Sequence, residues 1–163
     1  MFSMADPASF AANDSFNIVL RLGFALMIGT IVGWIRQAER KAAGLRTHML
    51  VTVTAALLVS IPLQLVTHEP EGSVTFVLQG ISTGVGFLGA GVILRQTDPA
   101  ERRLTVKGLT SASEIWVSAA LGAGAGCGLW LSSSIGTVLL VLILTVVKRI
   151  ERKIPVSVDE ELN

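Results

Sequence analysis

Apolar positions in this chain come in long unbroken runs, without the two-residue alternation of strands or the single stripe of a soluble helix. The runs cover 16–35, 49–66 and 74–94, and a longer one extends over 108–147. Each of the first three has 18 to 21 residues, enough for one helical crossing of roughly 30 Å of hydrocarbon. The last is too long for a single crossing. It contains Gly122, Gly124, Gly126 and Gly128, a cluster suited to a turn between two helices. The pattern predicts an all-α, polytopic bundle of five transmembrane helices over 16–35, 49–66, 74–94, 108–124 and 129–147.

Composition supports the same class. Of 163 residues, 51% are hydrophobic and only 15% charged, where a soluble domain carries about a quarter. This excludes a disordered chain, a nucleic-acid arm and an ordinary soluble enzyme. The one cysteine, Cys127, permits no internal disulfide, and His48 and His68 are isolated, so no zinc spacing exists. No nucleophile–base pair is evident, and neither enzymatic activity nor a cofactor is expected. The expected surroundings are the lipid bilayer, with no nucleic acid.

Charge placement sets the expected topology. Of 13 Lys and Arg, four lie in the first loop (Arg36, Arg40, Lys41, Arg46) and four in the third (Arg95, Arg102, Arg103, Lys107). Four more lie in the tail: Lys148, Arg149, Arg152 and Lys153. The second loop carries Glu69 and Glu71 but no base. Five crossings put every basic cluster on one face, which the positive-inside rule makes cytoplasmic. Residues 1–15 are then a short extracytoplasmic segment, and 148–163 a cytoplasmic tail, basic and then acidic. With no base before Arg21, the N terminus lacks the positive region of a cleaved signal peptide.

Inside the apolar runs, small residues recur at four-residue spacing: Ala25, Gly29 and Gly33; Gly80 and Gly84, with Ser82, Gly86 and Ala90 beside them; Ser118, Gly122 and Gly126. Such stripes read as faces on which helices pack closely. Two ionisable residues also lie there. Arg21 is near the outer end of helix one, where it can snorkel to headgroups. Glu114 is deeper, and a lone carboxylate at that depth costs a few kcal/mol. It is either half of an ion pair with Arg36 or Arg46, or a cation or proton site. The basic first loop ends at Thr47, which could cap helix two. Trp34 and Trp130 fall near the two interfaces, whereas Trp116 is deeper and expected between helices.

Three ordered motifs then resemble the MgtC/SapB family: Ala43-Gly-Leu-Arg-Thr-His-Met-Leu-Val51, Gly84-Val-Gly-Phe-Leu-Gly-Ala-Gly-Val-Ile-Leu94, and Val106-Lys-Gly-Leu-Thr-Ser-Ala-Ser-Glu-Ile-Trp-Val117. The resemblance implies a multi-pass protein of the bacterial inner membrane, associated with growth at low magnesium and with survival of pathogens inside macrophages. It implies a regulator of other membrane complexes, the ATP synthase among them, rather than a transporter. A magnesium or other cation carrier is the alternative, in which a homo-oligomer would gather Glu114 side chains into a ring. The residues carried by the motifs are Gly44, Arg46, Thr47, Gly86, Gly89, Gly91 and Trp116, to which Arg36 and Glu114 are added. Two departures stand out. The family's acid before Arg36 is replaced by Ile35, and Glu114 occupies a position that is usually small and uncharged. Longer members also carry a C-terminal cytoplasmic domain, and this chain reads as a short form without it.

Overall fold

The computed structural model describes residues 15–65, 70–97 and 104–151. Its elements, in order, are α1 (Ser15–Ala38), α2 (Leu45–Leu65), α3 (Pro70–Val92), β1 (Leu94–Thr97), β2 (Leu104–Lys107), α4 (Leu109–Gly126) and α5 (Trp130–Leu142). A π-helical turn (Ile143–Val147) then carries α5 directly into α6 (Lys148–Glu151). Among the described residues the bundle is all-α apart from one small hairpin. Helix ends depart from the apolar runs because hydropathy marks hydrocarbon depth, whereas helices continue into the headgroup layer. Thus α1 runs on to Ala38, and α2 begins at Leu45, four residues before Met49. Helix α3 takes Pro70 into its first turn, where no intrahelical N–H is needed.

The third loop departs most from expectation. Leu94 was expected to end helix three, but α3 stops at Val92 and the chain turns into an antiparallel pair, Leu94 opposite Lys107 and Thr97 opposite Leu104. Thr97, Thr105 and Val106 supply the β-branched residues that favour a pleated pair.

Among the described residues, four helices are long and apolar enough to cross a membrane: Ser15–Ala38, Leu45–Leu65, Gly72–Val92 and Trp130–Ile150. Helix α4 has a different role. Ten of its eighteen residues are buried, and it packs against α1, α2, α3 and α5. A helix enclosed by other helices is shielded from lipid and tolerates Ser, Glu and Gly that an outer helix would not. Around it, Phe87 is 82% exposed, Phe76 75% and Leu50 68%. In water such a surface would aggregate, and in a bilayer it faces acyl chains. The chain is a polytopic membrane protein.

The small residues of α1, α2 and α4 bring these helices together. Ser118, Gly122 and Gly126 of α4 meet His48, Thr52 and Ala56 of α2 in a parallel register of constant offset. Helix α1 runs antiparallel to α2, with Gly29 on His48 and Thr52 and Gly33 on Leu45. The stripe on α3 does not pack this way. A Cβ added at Gly80, Gly84, Gly86 or Gly91 would meet nothing within 4 Å; only Gly89 is seated, against Ala112. The expected packing face of helix three is therefore open within the described residues.

The glycine cluster also divides in role. Gly122, Gly124 and Gly126 remain helical, and Gly128 alone makes the turn, at φ 76°. Gly128 N–H donates to the Ala125 carbonyl at 3.0 Å, and Leu129 N–H to that of Gly124 at 2.9 Å. This double bond pattern ends a helix on a left-handed residue, which explains why glycine sits there.

Candidate functional site

At the end of the bundle where α1 finishes and α4 begins, the charges converge. Arg36, Glu114 and His48 are 2%, 2% and 0% exposed. Arg36 lies on the α1 face that packs on α2 and α4, while Ser111, Glu114 and Ser118 share one face of α4 at helical spacing. The Arg36 Nε lies 2.5 Å from Glu114 Oε2, while its Nη1 donates to Glu39 Oε2 at 2.9 Å and its Nη2 to Ser111 Oγ at 3.4 Å. Lys148, immediately after the π turn, reaches Glu39 Oε1 at 2.6 Å. Two bases and two acids thus form one neutral chain. Of the two partners considered for Glu114, the structure places Arg36 against it; Arg46 is exposed on the first turn of α2.

Neutrality does not bring full satisfaction. The Arg36–Glu114 contact is short but poorly aligned, and neither Glu114 oxygen accepts a hydrogen bond among the described residues. One turn further along α4, Ser118 Oγ and His48 Nδ1 share a hydrogen bond of 2.9 Å. Burial works against the ionised form of Glu39, but the hydrogen-bonded Lys148 ammonium, with Arg36 and Lys41, holds its carboxyl below the ordinary carboxylate value. Among the described residues, no group of three or more His, Cys, Asp or Glu could hold a metal ion.

The other predicted positions separate. Gly44 leaves room for the Gln37 amide, whose Oε1 accepts from Leu45 N–H at 3.4 Å and satisfies one donor at the α2 start. Thr47 therefore does not cap that helix; it lies inside the first turn because α2 starts at Leu45. Gly86 and Gly91 are exposed and Gly89 is buried against α4. Trp116, expected between helices, is 52% exposed. It lines an apolar groove of about 250 Å³ with Ile81, Val85 and Ala119. Arg21 is far from Glu114, at the opposite end. Its Nη1 donates to the Gly126 carbonyl at 2.9 Å, so it neutralises the negative end of α4 rather than merely snorkelling. Sequence reasoning missed Glu39, Lys148, Ser111 and the depth of His48. Ser118 left a signal through its place in the small-residue stripe, and His48 and Ser111 through their places in the three ordered motifs.

Comparison with known proteins adds a second, independent line. The sequence model of the MgtC family matches residues 22–153. Protein SrpB of Synechococcus elongatus is 41% identical over 149 residues, covering 85% of this chain and 79% of that protein. Protein MgtC of Salmonella typhimurium is 33% identical over 150 residues, covering 90% of this chain and 60% of that protein. A Haemophilus influenzae protein of uncharacterised role is 30% identical over 145 residues, covering 85% and 59%. The chain thus spans less than two thirds of the last two relatives. No solved structure matches it.

Proposed function

This chain belongs to the MgtC family, and on that premise we propose that it is a non-enzymatic protein of the bacterial inner membrane that modulates another membrane complex. Its setting is adaptation to low magnesium and virulence-related stress, the role that the family resemblance implies. The observation that supports modulation over transport is the engagement of Glu114. The intramembrane acid lies 2.5 Å from the Arg36 guanidinium, inside the bundle, and a hard cation would have to displace that charge to use it. Arg36, Arg46, Lys107 and Lys148 stand at one end and Arg21 at the other, which supports a cytoplasmic C-terminal end by the positive-inside rule. Exposed Arg46 is offered to a lipid phosphate or an acidic partner.

The second reading, a magnesium or other cation carrier, draws on the two Glu114 oxygens that accept no hydrogen bond. Proteoliposomes loaded with a magnesium-sensitive dye separate the two. Modulation predicts flux no greater than in protein-free vesicles. Flux that Glu114→Ala removes would establish transport instead. In cells under magnesium limitation, Arg46→Ala should abolish function while the protein still inserts.

A further inference from the structure

Arg36 is shared between two carboxylates, and one of them, Glu39, is also held by Lys148. Along the chain Lys148, Glu39, Arg36, Glu114, side-chain exposure falls from 31% and 20% to 3% and 3%. It therefore runs from an end that water reaches to one that it does not. With Lys148 on Glu39, that acid has two bases, and the guanidinium divides its charge between Glu39 and Glu114. With Lys148 withdrawn, Glu39 claims the guanidinium and Glu114 is under-compensated. A buried carboxylate in that position lowers its free energy by taking a proton.

Among the described residues, the neighbouring groups do not offer Glu114 another counter-charge of equal closeness. From α1 and its end come Arg36, Glu39 and Lys41, from α2 His48, and from the helix after the π turn Lys148. Helix α3 carries Glu71 alone, at its far end, and α5 carries no charged residue. The π turn at Ile143–Val147 ends directly before Lys148. A π turn holds one extra residue, so its return to α geometry would swing Lys148 by about 100° around the axis.

We propose that Glu114 is a proton-binding site whose occupancy is set by the position of Lys148, transmitted through Glu39 and Arg36. The proton comes from water at the Lys148–Glu39 end and settles on a Glu114 oxygen. Arg36 then keeps Glu39 as its ionised partner, and the end of the last helix is read out as buried charge. This site does not depend on whether the protein modulates a partner or carries a cation.

Infrared difference spectra of the full chain in lipid nanodiscs, stepped through pH, test this. A carboxylic-acid carbonyl band should titrate in the wild type, move in frequency in Glu114→Asp, vanish in Glu114→Gln and persist in Glu39→Gln. In Lys148→Gln the same band should remain, with its midpoint about one pH unit higher. The proposal is overturned if no band assignable to Glu114 develops while circular dichroism shows a folded bundle. An unmoved midpoint in Lys148→Gln, whose site is part-exposed and tolerant, would overturn it equally.

Discussion

Replacing Gly122 with alanine places a methyl group where the backbone of α2 already lies. The added Cβ would stand 2.7 Å from Thr52 Cα and 2.8 Å from its carbonyl carbon, against 3.4–4 Å for ordinary contact. The obstacle is main chain, which no rotamer change removes, so α2 and α4 must separate by about 1 Å. A gap of that size forfeits roughly a quarter to a half of each dispersion contact along the crossing. It also stretches the 2.9 Å His48–Ser118 bond past useful length, a loss of about 1 kcal/mol. Adding overpacking of about 1–3 kcal/mol gives an expected destabilisation of ~2–4 kcal/mol. Unfolding in mixed micelles, followed by circular dichroism, measures it against two internal standards. Gly89→Ala meets Ala112 at an ordinary 3.5 Å and should stay within about 0.5 kcal/mol of wild type. Gly84→Ala meets nothing and should gain up to about 1 kcal/mol from helix propensity. If Gly122→Ala unfolds with the wild type, or Gly84→Ala falls as far, the close crossing is not what holds the bundle.

Three further outcomes follow from the charged chain and the far end. Glu114→Ala should lose ~2–3 kcal/mol by stranding Arg36, less than for an isolated buried pair because Glu39 and Ser111 remain, and Arg36→Met with Glu114→Leu should recover most of it in the same unfolding assay. Because the Glu39 carboxyl is held below its ordinary value in the folded state, its contribution is complete above that value and is lost as pH falls through the folded one. Acid titration of stability should therefore show a smaller loss in Glu39→Gln than in wild type, and an equal loss would refute the Lys148 pairing. Arg21→Leu should destabilise by ~1–2 kcal/mol through the uncapped Gly126 carbonyl, and a wild-type melt would show that Arg21 merely snorkels.

Much of this molecule was legible in the residues. Five helices and the turn near Gly128 follow from run length and glycine placement, whereas the energy of a buried charge left Glu114 open between an ion pair and a cation or proton site, and the structure sets it against Arg36. What resisted was orientation around each helix. The stripe Ser118, Gly122, Gly126 and the stripe Gly80, Gly84 look alike in sequence, yet one is packed and the other open. Small size permits close approach but does not supply a partner, and apolar residues on all sides leave no polar face to point outward. Trp116 was misplaced for the same reason. Glu39 and Lys148 sit outside the apolar runs, where a charge ordinarily means a solvated surface. Glu39 reaches Arg36 from three residues along the same chain, and the convergence of helix ends past the π turn brings Lys148 onto Glu39. The hairpin was hidden because four-residue strands carry little periodicity.

The shared guanidinium also fixes an order of assembly. Helices α1 and α2 are joined by a short loop and can pair as soon as both have entered the bilayer. Glu114 arrives only with α4, two helices later in synthesis. Until then Arg36 would wait, charged, in a half-built bundle. Glu39, three residues along the same chain, is available from the outset and needs no tertiary contact to reach it. It acts as a holding partner, in place before the central helix exists. When α4 docks, the arginine exchanges an exclusive neighbour for two, and Lys148, the last of the four to be synthesised, closes the circuit on the acid that had been waiting with it. Removing Glu39 should thus slow the insertion of α1 in nascent chains too short to contain Glu114, a defect that the finished protein would not display.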